Sequence, residues 1–283
     1  MKKELKFKQM GRFLMYKKTK AKNIEAFLKE HPRRYYTELE ELDELVFDDE
    51  AKFYESKDMF IMTTPSSSEL HIWAIPKSKD FALADFEKWL SRQANDFRIE
   101  MNVTGINSGE FRFQEFYDVS LPHASYWSKA ETDLENKAEY DSSALATDLK
   151  GSVRQLKESD AKAVKEFPQT ETRGVLGLDT TFAFVINDEI GSITAYFDES
   201  DKLCAYLSNM PGMNGVYIVD DIYVLPSYRE KGIATSLLLA LEADAKANNT
   251  EIYWPIAETE LAQKTAEAAG FEKVAERITI KNL

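Results

Sequence analysis

Between residues 222 and 271 the hydrophobic pattern changes period several times, and each change predicts an element. Ile222, Tyr223 and Val224 form a short β-prone run that stops at a Pro226-Ser227 turn. Ile233, Leu237, Leu238, Leu241 and Ala245 then recur at helical spacing, which predicts an amphipathic helix ending at Asn248-Asn249. Ile252 to Ile256 reads as a second strand, although Pro255 within it lacks the N–H a ladder needs. A further helix follows, and Gly270 before Phe271 suits a helix C-cap.

The upstream pattern supplies the rest. Val153 to Phe167 predicts a strand and a helix, with Ser159 or Asp160 as N-cap. Over Thr181 to Asp198, alternation of Phe182, Phe184 and Ile186, then Asn187-Asp188, then Ile190, Ile193 and Ala195 predicts a hairpin. The first half holds an echo: His71 to Pro76 lines up with Asp221 to Pro226. Helix positions Leu83, Phe86, Leu90 and Ala94 follow, then an alternating strand from Phe97 to Val103 and an aromatic segment from Phe111 to Tyr117. The polar stretch from Ser128 to Gly151 reads as a linker or a solvated helix, which puts a boundary near residue 148 and predicts domains 1–148 and 149–283.

Composition narrows the classes. The 283 residues carry 36 basic and 49 acidic side chains, a net charge of −13. So acidic a chain is a poor match for nucleic acid as a main partner. The basic first 22 residues read as a solvated terminus or first strand. No apolar run reaches the ~18 residues of a membrane span, and basic residues interrupt the N-terminus too often for a signal-peptide core. Cys204 is the only cysteine and lies in an apolar segment, so it reads as a packing residue in a reducing cytoplasm. His31, His71 and His123 lack ligand spacing, and no metal site is expected.

Chemistry concentrates in Arg229-Glu230-Lys231-Gly232-Ile233-Ala234, at the strand-to-helix turn. The first N–H groups of a helix have no partner within it, and the macrodipole adds partial positive charge there, so the turn suits an anion. This R-x-x-G-x-A turn, with its strand before and the helix, strand, helix and Gly270-Phe271 after it, resembles the pyrophosphate loop of the Gcn5-related N-acetyltransferases (GNAT). The resemblance implies an α/β (α+β) fold, a mixed and mostly antiparallel sheet flanked by helices, with the family's element order over 152–283. It also implies acetyl-CoA as cofactor. Ile222, Tyr223 and Val224 would pair with the pantetheine arm, and Arg229 to Ala234 with Thr235 would hold the pyrophosphate. Pro255 then falls where the two strands flanking the cofactor splay apart. After Pro76 the chain reads KSKDFALADF, with Phe81 and no glycine, so the first half is either a degenerate copy without a cofactor loop or an unrelated α+β domain.

Acetyl transfer to an amine needs an oriented thioester, a neutral amine and a stabilised oxyanion. Asp220 and Asp221 stand where the family often has its carboxylate. Family enzymes acting on polyamines are acidic at the place of Asp220, which ranks it first as the base; both acids also suit simple attraction of a cationic acceptor. Alternation places Asp220 with Ile222 and Val224, and Asp221 with Tyr223. One departure stands out: the family's usual general-acid tyrosine is replaced by Ala266, and its usual asparagine by Thr259. Tyr223, Tyr253 or a water is left to protonate the thiolate. The reading is an N-acetyltransferase for a small-molecule or peptide amine; the alternative is a non-catalytic acyl-CoA-binding sensor or scaffold.

Overall fold

The computed structural model describes residues 16–78, 81, 83–93, 96–106, 117–120, 122–128, 150–168, 177–188 and 190–282. They fall into two compact units: unit 1 is residues 1–122 with 275–283, and unit 2 is residues 123–274. The expected cut at 148, Ala94 and the aromatic run before Tyr117 lie outside the described residues.

Unit 1 runs β1 (Lys17–Lys18), α1 (Ala21–Leu28), α2 (Tyr36–Leu45), β2 (Lys52–Glu55), β3 (Met59–Pro65), β4 (Leu70–Pro76), α3 (Leu83–Leu90), β5 (Phe97–Asn102) and β6 (Tyr117–Val119). Alternation on the strands builds two cores. Met59, Ile61, Ile72 and Ala74 pack with Phe86 and Leu90 of α3, while Phe60, Met62, Trp73 and Ile75 pack with Ile24, Leu28, Leu42 and Leu45 of α1 and α2. The last strand of the chain, β13 (Glu272–Asn282), completes this sheet from Ala275 onward, antiparallel to β5.

Unit 2 opens with β7 (His123–Trp127) and continues β8 (Gly151–Gln155), α4 (Ala161–Glu166), α5 (Leu178–Asp188), β9 (Ser192–Asp198), β10 (Leu203–Pro211), β11 (Tyr217–Val224), α6 (Ile233–Ala247), β12 (Ile252–Ala257) and α7 (Glu260–Ala268). The strand orders are β1-β2-β3-β4-β5-β13 and β8-β9-β10-β11-β12-β7. In both, one parallel pair (β4–β5, β11–β12) sits among antiparallel neighbours. The sheet of unit 1 is thus closed by the last strand of the chain, and that of unit 2 by the strand that opens the unit.

The hairpin expected over 181–198 is replaced by helix α5 and strand β9. Phe182, Phe184 and Ile186 do alternate, but Leu178, Thr181 and Phe182 are the buried positions, with Val185 and Ile186 half-buried beside them, while Phe184 is exposed. That is a helical stripe, and burial follows it. Asp160 stands at the N-cap of α4, though its carboxylate accepts from the Lys157 N–H at 2.9 Å and pairs with Arg154 at 2.7 Å. Among the described residues no helix is long and apolar enough to cross a membrane.

Candidate functional site

The turn between β11 and α6 is shaped by two left-handed residues. Glu230 has φ +62° and Gly232, the N-cap of α6, has φ +76°. A Cβ at position 232 would meet nothing within 4 Å, so the glycine is demanded by its dihedral and the space over it is open. No side chain caps α6. Its first helical bond runs from Ser236 N–H to Gly232 carbonyl at 2.9 Å, which leaves the N–H groups of Ile233, Ala234 and Thr235 without an acceptor in the helix. Arg229 is tied to the loop through Nε to the Val224 carbonyl at 2.9 Å, and Lys231 through Nζ to the Ser227 carbonyl at 2.9 Å.

Beside this turn the sheet opens. β11 and β12 pair only at Tyr217↔Ile252 and Ile218↔Tyr253; beyond that the strands diverge. Pro255 lies on the diverging part, where no ladder bond to β11 is made, and its carbonyl accepts from Ser125 Oγ at 2.6 Å on the β7 side. The divergence forms a cleft of about 450 Å³. Ile222, Tyr223, Val224, Arg229, Glu230, Gly232, Ile233, Ala234 and Thr235 line it; Lys231, Asp220 and Asp221 do not. Trp254 and one side of α7 (Leu261, Ala262, Thr265, Ala268) form the opposite wall, positions that the sequence reading had not assigned to the site. The only signal for them was the amphipathic spacing of α7.

The carboxylates are separated by a bulge. Ser208 pairs with Asp221 and Asn209 with Val219, so Asp220 has no opposite number on β10. Asp220 is exposed and accepts from Ser208 Oγ at 3.3 Å. Asp221 is half-buried and accepts from the Tyr206 hydroxyl. Burial pushes its carboxyl above the ordinary carboxylate value and the neighbouring Asp220 charge adds to this, against the Tyr206 hydrogen bond, which lowers it. Tyr206 is raised in turn by burial and by the Asp221 carboxylate. Tyr206 stacks on Tyr223 at 6.3 Å between ring centroids, and Phe167 stands edge-on to both, at 5.6 and 5.9 Å.

Ala266 is fully buried and its methyl can donate no proton. Of the substitute donors, Tyr223 lines the cleft, whereas Tyr253 is fully buried against Trp127 and does not. Thr259 caps α7 by accepting from Ala262 N–H at 3.1 Å. Gly270, at φ +87°, and Phe271 close the same helix: their N–H groups bond to Glu267 and Ala266 carbonyls, the expected C-cap. Cys204 is buried, and among the described residues no three metal-ligating side chains converge.

An open helix N-terminus and a splayed strand pair fit a long ligand with an anionic end. Comparison with known proteins gives this geometry a context. The model of the acetyltransferase (GNAT) family matches residues 156–271. No curated protein sequence matches the chain. Among solved structures, a GCN5-related N-acetyltransferase from Sphaerobacter thermophilus is similar with a TM-score of 0.61 at 12% identity, covering 94% of each chain. A GNAT-family acetyltransferase from Colwellia psychrerythraea gives 0.51 at 15% identity, over 95% of this chain and 99% of that one. A GCN5-related N-acetyltransferase-like protein from Streptococcus suis gives 0.50 at 11% identity, over 93% and 98%. At these identities the likeness is one of fold.

Proposed function

Because residues 156–271 form a domain of the acetyltransferase (GNAT) family, we propose that the protein is an acyl-CoA-dependent N-acyltransferase that moves an acetyl group to an amine of a small molecule or peptide. The observation that carries this reading is the end of the β11–β12 ladder at Ile218↔Tyr253, beside a helix start with free N–H groups. Backbone groups of Ile222, Tyr223 and Val224, released from pairing with β12, bind the pantetheine arm. The N–H groups from Arg229 to Thr235 hold the pyrophosphate, with Arg229 and Lys231 adding charge. When bound, acetyl-CoA supplies the activated thioester. An N–H of the released strand would polarise the thioester carbonyl, Tyr223 would give the leaving sulfur a proton, and the mid-strand carboxylates of Asp220 and Asp221 would draw in a cationic amine and take its proton.

We read unit 1 as a copy of the same element order without a phosphate turn, so one cofactor binds per chain. The single, buried cysteine and the net charge of −13 suit a cytoplasmic enzyme of small substrates. The test is thermal shift with acetyl-CoA and with coenzyme A, followed by thiol release with a panel of amines. Binding without release for any amine would favour the second reading, a non-catalytic acyl-CoA sensor, to which Ala266 points. Replacing both Asp220 and Asp221 by Asn separates the two: a sensor's affinity hardly changes, whereas an enzyme keeps its affinity and loses its rate.

A further inference from the structure

Unit 1 has a hollow of its own, of about 560 Å³, between the β2–β3 turn, the end of β4 and the start of α3. In the order of elements this is the place that the turn between β11 and α6 takes in unit 2. Its apolar walls are the rings of Tyr16 and Phe81 and the side chain of Met59. The Tyr16 ring packs on Trp89 at 5.7 Å between centroids, and its hydroxyl donates to Met59 Sδ at 3.7 Å.

The charged groups of the hollow sort by sign. Lys77 Nζ is already held, 2.9 Å from Glu55 Oε1, 2.9 Å from the Ser56 carbonyl and 3.8 Å from the Phe60 ring centroid. Lys17 is the register partner of the same Glu55, and Lys57 is exposed. Asp58 and Asp85, by contrast, are half-buried, and neither carboxylate has a hydrogen-bond or ion-pair partner among the described residues. Both charges act on the Tyr16 phenol: burial pushes it up to about 12 against a Ser56 hydrogen bond, and Asp85 and Asp58 add to the rise. The cations of the hollow are thus neutralised or in water, while its acids stand uncompensated beside aromatic rings. Asp85 also occupies the first turn of α3, where its charge already answers the helix dipole, so an anion gains little there.

We propose that this hollow is a second ligand site, which takes an organic ammonium ion. The ammonium lies between Asp58 and Asp85, and its alkyl chain lies against Tyr16, Phe81 and Met59. Two half-buried carboxylates gain a counter-ion, and the ring faces attract the same charge. The site is independent of the transferase reading above.

The full chain, labelled with methyl-¹³C methionine, is titrated with butylammonium and with butyrate, without acetyl-CoA. The Met59 methyl signal, assigned through Met59→Leu, should move with butylammonium and stay in place with butyrate. Asp58→Asn combined with Asp85→Asn should weaken the binding at least about tenfold. Phe81→Leu keeps an apolar wall but loses the ring, and should weaken it about two- to fivefold. A Met59 signal that stays in place up to about 50 mM butylammonium overturns the proposal. So does one that moves equally with butyrate, or that moves as readily in the folded double variant. Failure of acetyl-CoA binding or of thiol release bears on the transferase reading and leaves this one standing.

Discussion

The parallel pairs β4–β5 and β11–β12 have the same neighbours and connectivity, yet one is zipped and the other open. β4 and β5 stay in register from Leu70↔Phe97 to Ala74↔Met101, whereas β11 and β12 part after Ile218↔Tyr253. The antiparallel neighbours differ in step. β3–β4 runs from Met59↔Pro76 to Pro65↔Leu70 without a shift, and β10–β11 breaks register at Asp220. The turns differ too: Gly232 at φ +76° opens α6, while Phe81 precedes α3 and no glycine lies between β4 and α3. On the proposed reading, a common strand order is not enough for a cofactor site, which also needs a ladder that stops and a helix start whose N–H groups have no helical acceptor.

The comparison breaks most severely at the support of unit 1. Arg277 of β13 pairs with Glu38 of α2 at 2.7 Å, with both side chains nearly inaccessible, and Asn102 of β5 donates to the same carboxylate at 3.1 Å. Arg277→Ala leaves Glu38 buried without its cation and should lower stability by about 3–5 kcal/mol. Denaturant unfolding would measure the loss, and hydrogen exchange should place it in β4, β5 and α2. If the cofactor site belongs to unit 2, acetyl-CoA affinity in conditions where the variant is folded stays within about twofold of wild type. A large loss of affinity would mean that unit 1 has a share in the site.

A second change acts on the open pair alone. Gly232→Val puts a β-branched residue at φ +76°, a strain of roughly 1–2 kcal/mol, in a place where no protein atom obstructs it. Melting temperature should fall slightly, while the new side chain fills the approach to the N–H groups and weakens acetyl-CoA binding at least about tenfold. The reciprocal change sharpens the point. Phe81→Gly gives unit 1 a glycine but leaves β4–β5 zipped, so calorimetry should still find one acetyl-CoA per chain. Two would show that the turn alone makes a site.

What was legible in the sequence was local. The strand, the turn at Gly232 and helix α6 follow from neighbouring residues, and Pro255 marked the place where the ladder fails. The hairpin reading of 181–198 failed because Phe182 and Ile186 fit both periods, and only packing shows that Phe184 falls off the buried stripe. Nor did alternation reveal the bulge at Asp220, since a bulge is a relation between two strands. The exchange of β7 and β13 was hidden for the same reason: Ile278 and Ile280 are as suitable an inward face for one sheet as for the other, and partner choice is long-range.

The smallest effect concerns where each unit keeps a carboxyl that resists ionisation. Among the described residues, in unit 2 it is Asp221, next in sequence to the cleft-lining Ile222; in unit 1 it is Glu41 on α2. Burial pushes Glu41 up to about 7, helped by Glu44, Glu40, Glu100 and Glu38. Its folded value lies above the unfolded one, so the native state holds the proton longer, and unit 1 loses stability as pH rises from about 4.5 to about 7. Glu41→Gln removes that dependence. Since water still reaches the group, a gain of only about 1–2 kcal/mol is expected at pH 8, with almost none at pH 4. Melting curves of wild type and variant across that range should converge on the acid side and separate above pH 7. A constant offset would make Glu41 an ordinary surface acid. A gain that grows with pH while acetyl-CoA affinity is unchanged would leave the raised carboxyl of unit 1 a matter of stability, and that of unit 2 one of chemistry.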